Sequence, residues 1–210
     1  MGSPRGDSAE KIHRVTLDSF YISKTEMTFA QYDAFCEATG RSKPDDEGWG
    51  RDNRPVINVC WHDAAAFCGW LSKRTGQNIH LPTEAQWEYA ARGGGRSRKY
   101  KYSGSNSPEE VAWYDKNSGG KTHAGGQRQP NELGIYDMSG NVWEWCADWY
   151  DDDYYSRSPS RNPKGPSSGS YRVFRGGSWY GPSSGLRCAS RYGLDPSYGS
   201  GDTGFRIARD

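Results

Sequence analysis

The side chains best equipped for chemistry are five cysteines, at 36, 60, 68, 146 and 188, and four histidines, at 13, 62, 80 and 123. Thiolates serve as nucleophiles or soft-metal ligands, and imidazoles as bases or zinc ligands. The spacing supports neither use. There is no Cys-x-x-Cys pair, no cysteine with a second sulfur or a histidine at the usual zinc-ligand distance, no His-x-x-x-His and no Gly-x-Ser-x-Gly. An odd number of widely spaced cysteines also argues against a disulfide framework. The cysteines read as buried packing, and His62 and His80 as hydrogen-bonded core or helix-edge residues.

The remaining candidate is a carboxylate. Residues 131–149 run Asn-Glu-Leu-Gly-Ile-Tyr-Asp-Met-Ser-Gly-Asn-Val-Trp-Glu-Trp-Cys-Ala-Asp-Trp. Each of Trp143, Trp145 and Trp149 gains by leaving water, so the stretch is expected in the core, as a short strand entered through the turn Ser139-Gly140-Asn141. Glu144, caught between two indoles, then needs a donor. It reads as a structural hub bound by backbone or arginine, with a cation ligand as the alternative.

The elements around this hub follow from composition and local signals. Aromatic residues make up 14% of the 210 while hydrophobic residues total only 33%, and with 27 Gly and 11 Pro the core is aromatic and the fold rich in turns. Basic and acidic residues balance at 27 and 26, without a basic run that could follow a phosphate backbone, so nucleic acid is not the expected partner. No stretch reaches the roughly 20 apolar residues of a membrane span. The opening has no apolar signal core and reads as a linker over 1–12, which leaves room for a removed signal or lipid anchor. Residues 13–24 predict a kinked strand. Thr28 caps a helix ended by Gly40, 41–56 form a loop, a second helix covers about 63–75 with Asp63 as its cap, and Thr83 with Gln86 forms a capping box for a short third helix. Loops dominate 93–126, strands return at 172–179 and 204–209, and 13–210 form one domain.

The ordered set Phe20-Tyr-Ile-Ser-Lys-Thr-Glu-Met-Thr28, Arg54-Pro-Val56 with Trp61, Leu81-Pro-Thr-Glu-Ala-Gln-Trp-Glu-Tyr-Ala-Ala-Arg92, Asn131-Glu-Leu-Gly134, Gly140-Asn-Val-Trp-Glu-Trp145, Arg175-Gly-Gly-Ser-Trp179 and Gly204-Phe-Arg206 resembles the formylglycine-generating-enzyme (sulfatase-modifying factor) domain. The resemblance implies an α+β C-type lectin fold with two or three helices, short strands and much irregular structure. The family's opening Gly-Gly-x-Phe-x-Met-Gly strand is missing. In the oxidase that names the family, two cysteines between the Gly-Gly-Ser motif and Arg-Cys-Ala bind copper and oxidise a substrate cysteine. Here that interval, Trp179 to Arg187, has no cysteine, and Cys188 matches a non-catalytic one, so an oxidase is the alternative rather than the expectation. Calcium-dependent glycan binding is a second alternative, because Gln129-Pro-Asn131 superficially resembles an amide-oxygen cluster, although it reads more simply as a turn. The family also implies a structural calcium near Asn141 and Glu144 as an option; no other cofactor is expected.

The expected function is ligand binding without catalysis. Residues 180–203 are rich in Tyr, Ser and Gly, the mixture that paratopes use. None of the chain's nine Lys, ten Glu, five Gln, nine Trp and three Met falls among these 24 residues. Adenine-directed mutation of Asn codons leaves that same gap. The chain is therefore similar to the variable proteins of diversity-generating retroelements, the treponemal kind in particular. The resemblance implies a bacterial protein exported or displayed at the cell surface, as a lipoprotein in one version, monomeric, with a rewritten face for a protein or other macromolecular ligand. The contact residues expected are Tyr180, Gly181, Ser184, Ser190, Tyr192, Gly193, Leu194, Asp195, Tyr198, Ser200, Gly201 and Asp202, with Tyr192 and Tyr198 as anchors.

Overall fold

The computed structural model describes residues 1–4 and 8–210. Three helices carry most of the regular backbone. The first, α1, spans Phe29–Thr39; Thr28 accepts from the Gln31 N–H while the Gln31 side chain returns to the Thr28 N–H, and Gly40 closes the helix at φ 70°. The second, α2, spans Trp61–Thr75. It begins two residues before the sequence expectation, because Cys60 is the N-cap and Asp63 takes the third helical position, accepting from the Cys60 N–H at 3.2 Å and thiol at 3.1 Å. The third, α3, spans Glu84–Ala91 and uses the anticipated Thr83–Gln86 box. Single-turn helices α4 (Pro108–Val111) and α5 (Tyr154–Arg157) punctuate the loops.

Among the described residues, seven short strands form two sheets. In one, β1 (Tyr21–Ile22), β7 (Ala208–Arg209) and β2 (Ile79–His80) lie in the order β1-β7-β2, which pairs the first strand with the last. Only two residues of the kinked strand expected over 13–24 are regular, with a single parallel bridge from Thr16 to Arg161 beside them. The other sheet has the order β5-β4-β3-β6, from Arg191–Leu194, Arg172–Arg175, Trp143–Trp149 and Thr203–Gly204. Its central pair aligns Glu144 with Arg175 and Trp145 with Phe174.

The hub is held by arginine, as expected. Glu144 is fully buried; its Oε2 accepts from Trp87 Nε1 and Arg206 Nε, both at 2.6 Å, and its Oε1 from Arg206 Nη2 at 2.7 Å. A second buried network stands beside it. Arg175 donates to Glu88 at 2.5 Å and to the carbonyls of Cys188, Ala189 and Ser190, and Arg191 grips Glu84 through two 2.8 Å bonds. Burial opposes the Glu88 carboxylate, but Arg175 and Arg92 outweigh it and hold its pKa below the usual value. Such charges stay buried only while their partners remain.

Two expectations need correction. Of the three tryptophans only Trp145 is fully enclosed; Trp143 and Trp149 are half-buried. Trp143 stands where β3 meets the sheet's open end, covered by Phe174 at 5.0 Å on one side and the rim of Tyr192 at 5.1 Å on the other, and Trp149 is lidded by the Arg172 guanidinium at 3.5 Å. The opening is also not a detached linker. Glu10 is buried and forms a two-pronged pair with Arg187 at 2.6 and 2.7 Å, Arg191 reaches the Ala9 carbonyl, and the Gly2 N–H donates to Glu88. Gly2 sits at φ 89°, where a Cβ would lie 2.4 Å from the Glu10 carbonyl oxygen, so this turn of chain fits closely onto the domain.

Candidate functional site

Residues 180–203 leave β4 through a turn, return as β5, turn again over 195–202 and end in β6. Leu186, Cys188 and Arg191 point inward and fix the path. Between these anchors the side chains emerge. Tyr180, Tyr198 and Tyr192 are 73%, 50% and 47% exposed, and Ser184 and Asp195 are also exposed. Gly181, Gly193, Leu194, Ser200, Gly201 and Asp202 are half-buried.

Ser190 does not belong with them. It is 1% exposed, donates through Oγ to the Ser184 carbonyl at 3.0 Å, and offers its own carbonyl to Arg175. It secures the turn beneath the face. Gly193 is constrained by packing, since a Cβ there would come within 2.7 Å of the Tyr150 ring. Leu194 leans on the main apolar cluster, and the Asp202 carboxylate accepts from the Ser178 and Ser200 hydroxyls at 2.9 and 2.6 Å.

The turn at Gly201–Asp202 brings together residues the sequence did not link. Trp179 Nε1 donates to the Gly201 carbonyl at 2.9 Å, and the Trp143 N–H to the Asp202 carbonyl at 2.8 Å. Trp49 meets the Trp179 ring edge-on at 5.1 Å, with Tyr180 5.4 Å beyond, while Tyr192 meets Trp143 at 5.1 Å. Two groups of half-exposed rings thus flank one turn, presenting apolar area with polar edges. Trp49 was the missed member. An indole in the otherwise polar loop 41–56 was the available signal.

The thiols do not fit a copper dithiolate. Gly181 and Ser184 lie in the interval where the family's oxidase has its cysteines, and Cys188 is buried with Sγ 3.5 Å from the Ala91 carbonyl. Burial pushes Cys68 and Cys188 up to about 12 and raises Cys36, Cys60 and Cys146 as well, opposite to a reactive thiolate. Nor does Glu144 fit calcium, because both of its oxygens are taken by Arg206 and Trp87. The Asn141 amide spans the His123 N–H and carbonyl and reaches Glu26. Partnerless oxygens lie instead on Glu26 and Asp137. Burial, then the charges of Asp137 and Glu144, raise the pKa of Glu26, and burial with the charge of Glu144 raises Asp137 to about 6. Gln129-Pro-Asn131 is irregular chain and the turn follows it, from Asn131 to Gly134, with Asn131 Oδ1 accepting from the Leu133 and Ile135 N–H groups. A cleft of about 470 Å³ lined by Leu17, His80, Gln86, Lys164 and Asp210, among others, shares no residue with 180–203.

Comparison with known proteins places these features in context. The model of the sulfatase-modifying factor enzyme 1-like domain matches residues 1–210. A formylglycine-generating enzyme of Streptomyces coelicolor is 33% identical over 97% of the chain and 82% of its own length. The serine/threonine-protein kinase pkn1 of Chlamydia pneumoniae is also 33% identical, but the chain spans only 36% of it. Among solved structures, Treponema denticola variable protein 1 superposes with a TM-score of 0.88 at 32% identity, covering 99% of this chain and 90% of that one.

Proposed function

Since the chain belongs to the sulfatase-modifying factor enzyme 1-like domain family, we propose that it is a non-catalytic binding member of that family, with residues 180–203 forming a diversified ligand face. Its fold is the formylglycine-generating-enzyme type of C-type lectin fold, with the treponemal variable protein as a close structural neighbour. The observation that carries the proposal is the separation of roles within the segment. Tyr180, Tyr192 and Tyr198 stand out in solvent, whereas the bonds that fix the scaffold pass through Arg175, Arg191, Arg206 and Glu144. Exposed tyrosines supply rigid contact area at low entropic cost, and they are a common source of binding energy at protein interfaces. The ligand class is a protein or other macromolecule, met at the bacterial surface by an exported form of the chain.

Replacing Tyr180, Tyr192 and Tyr198 together by serine tests the proposal. Binding should be lost while the melting transition stays within a few degrees, since a change near 1 kcal/mol moves a domain of this size by about 2–4 °C. Unfolding of the triple variant would place the rings in the core and refute the assignment. At the genetic level, a reverse transcriptase and a near-copy of the codons for 172–209, differing at adenines, should lie close by. The oxidase alternative is tested by incubation with copper and a Cys-x-Pro-x-Arg peptide; mass spectrometry should find the cysteine unoxidised, and formylglycine would restore the enzymatic assignment.

A further inference from the structure

The binding face has a charge pattern that points to one class of partner, an inference that rests on the proposed display function. Asp45, Asp46 and Glu47 precede Trp49 in a single loop. Asn58 clamps that loop to the second turn of the face: its Nδ2 donates to the Asp45 carbonyl at 3.0 Å and to Glu47 Oε1 at 2.9 Å, and its N–H donates to the Ser200 carbonyl at 2.9 Å. Glu47 and Trp49 border the space over Gly201, where a Cβ would stand 3.4 Å from Glu47 Cγ and 3.5 Å from the Trp49 ring. Asp202 follows Gly201 directly, and Asp195 opens the same turn.

None of these five carboxylates forms an ion pair with Lys or Arg among the described residues. The cations around them are engaged elsewhere. Arg187 serves Glu10, Arg191 serves Glu84, and Arg51, which feels the charge of Asp46, is bonded to Asp33. Residues 192–203 contain no Lys or Arg. At the far edge the Asp115 N–H reaches the Gly181 carbonyl, with Lys116 next in the chain.

We propose that the face takes a cationic segment of a protein partner, with an Arg or Lys side chain seated against the Trp49, Trp179 and Tyr180 rings and Glu47 and Asp202 at its rim. Indole faces attract guanidinium and ammonium groups, the more so once water is displaced, and the acidic rim steers such a segment in while repelling acidic ones. The chain uses the same geometry internally. Arg172 lies 3.5 Å from the Trp149 ring and 3.8 Å from Trp61, and Arg128 lies 3.6 Å over Trp113.

The test is to pan a random dodecapeptide library against the protein, with the Tyr180→Ser/Tyr192→Ser/Tyr198→Ser variant as the counter-selection. Peptides that need the tyrosines should be enriched in Arg and Lys, bind more weakly as salt rises, and lose about tenfold in affinity to a Glu47→Gln/Asp202→Asn variant, the order expected for rim charges facing a bound cation. Glu47→Gln keeps the oxygen acceptor for Asn58, while Asp202→Asn keeps one for a single serine and turns its amide N–H toward the other; if the double variant melts early, Glu47→Gln alone carries the measurement. Tyrosine-dependent peptides without basic enrichment, or unaffected by the charge-removing variants, would overturn the cationic assignment and leave the display function standing. A library that yields no tyrosine-dependent binder would overturn the display function itself.

Discussion

Removing Arg206 examines the principle on which the scaffold stands. Arg206 is fully buried and donates to Glu144 through Nε at 2.6 Å and Nη2 at 2.7 Å, to the Ser23 carbonyl at 3.0 Å and to the Tyr136 carbonyl at 3.0 Å. In Arg206→Met the side-chain volume is nearly kept, but Glu144 retains only the Trp87 N–H and two carbonyls lose a donor. Leaving one charge of a buried pair alone costs about 3–5 kcal/mol. At about 2–4 °C per kcal/mol for a chain of this length, the transition should fall by roughly 6–20 °C. Urea unfolding followed by tryptophan fluorescence, with an unchanged slope against denaturant, gives the free energy directly. The double variant Glu144→Gln/Arg206→Met, in which no charge is stranded, should recover more than half of the loss. A cost for Arg206→Met below about 1 kcal/mol, or no recovery in the double variant, would refute the idea that the hub is a desolvated ion pair.

Three further outcomes follow from particular packing. Trp145→Ala should cost about 3–5 kcal/mol by denaturation, and Trp143→Ala clearly less, because only Trp145 is enclosed and bonded through Nε1 to the Val59 carbonyl at 3.1 Å; equal costs would contradict the burial difference. Gly193→Ala should destabilise by about 1–3 kcal/mol, since the Tyr150 ring leaves no room for a Cβ, and Tyr150→Ala should relieve much of that strain. Burial and then the charge of Glu84 push the Asp148 carboxyl to about 7 from 3.8, so the folded chain holds a proton that the unfolded chain releases. Its contribution to stability is therefore full below about 3.8 and lost as pH rises toward 7, and Asp148→Asn should flatten that part of a stability profile measured by denaturation across pH.

What could be read from the sequence was chemistry closed within a few residues. The Thr28 cap, the Thr83–Gln86 box and the terminal Gly40 emerged because caps are local, and the aromatic cluster showed that Glu144 needed a donor. The identity of that donor was beyond reach, since Arg206 lies 62 positions away and nothing local couples the two. The same holds for Arg175 with Glu88, 87 positions apart, and Arg187 with Glu10, 177 apart; missing the second pair made the opening look like a linker. Ser190 was misplaced for a related reason. A serine in a Gly- and Ser-rich stretch looks exposed until the strand register is known, and pairing Arg191 with Arg175 puts Ser190 beneath the face. Trp49 reaches Trp179 only once Asn58 has bound both its loop and the turn at 200.

A rewritable face needs a backbone that keeps its position whatever side chains it carries, and the bonds that hold 180–203 meet that condition. The Ser200, Pro196 and Asp202 carbonyls accept from the N–H groups of Asn58, Trp61 and Trp143, the Gly201 carbonyl accepts from Trp179 Nε1, and the Cys188 N–H donates to the Lys101 carbonyl. In each case the partner lies outside the segment and the segment contributes only main chain. The side chains of Leu186, Cys188, Arg191 and Thr203 point inward, the long stretch between the last two is tied by the backbone bonds of Pro196, Ser200, Gly201 and Asp202, and Arg175 gathers the carbonyls of 188, 189 and 190 from below. Changes at Tyr180, Ser184, Tyr192, Asp195, Ser197 or Tyr198 alter none of these bonds. They alter the rings and charges presented to solvent, so such a scaffold can trade specificity while its stability stays with residues that the exchange does not touch.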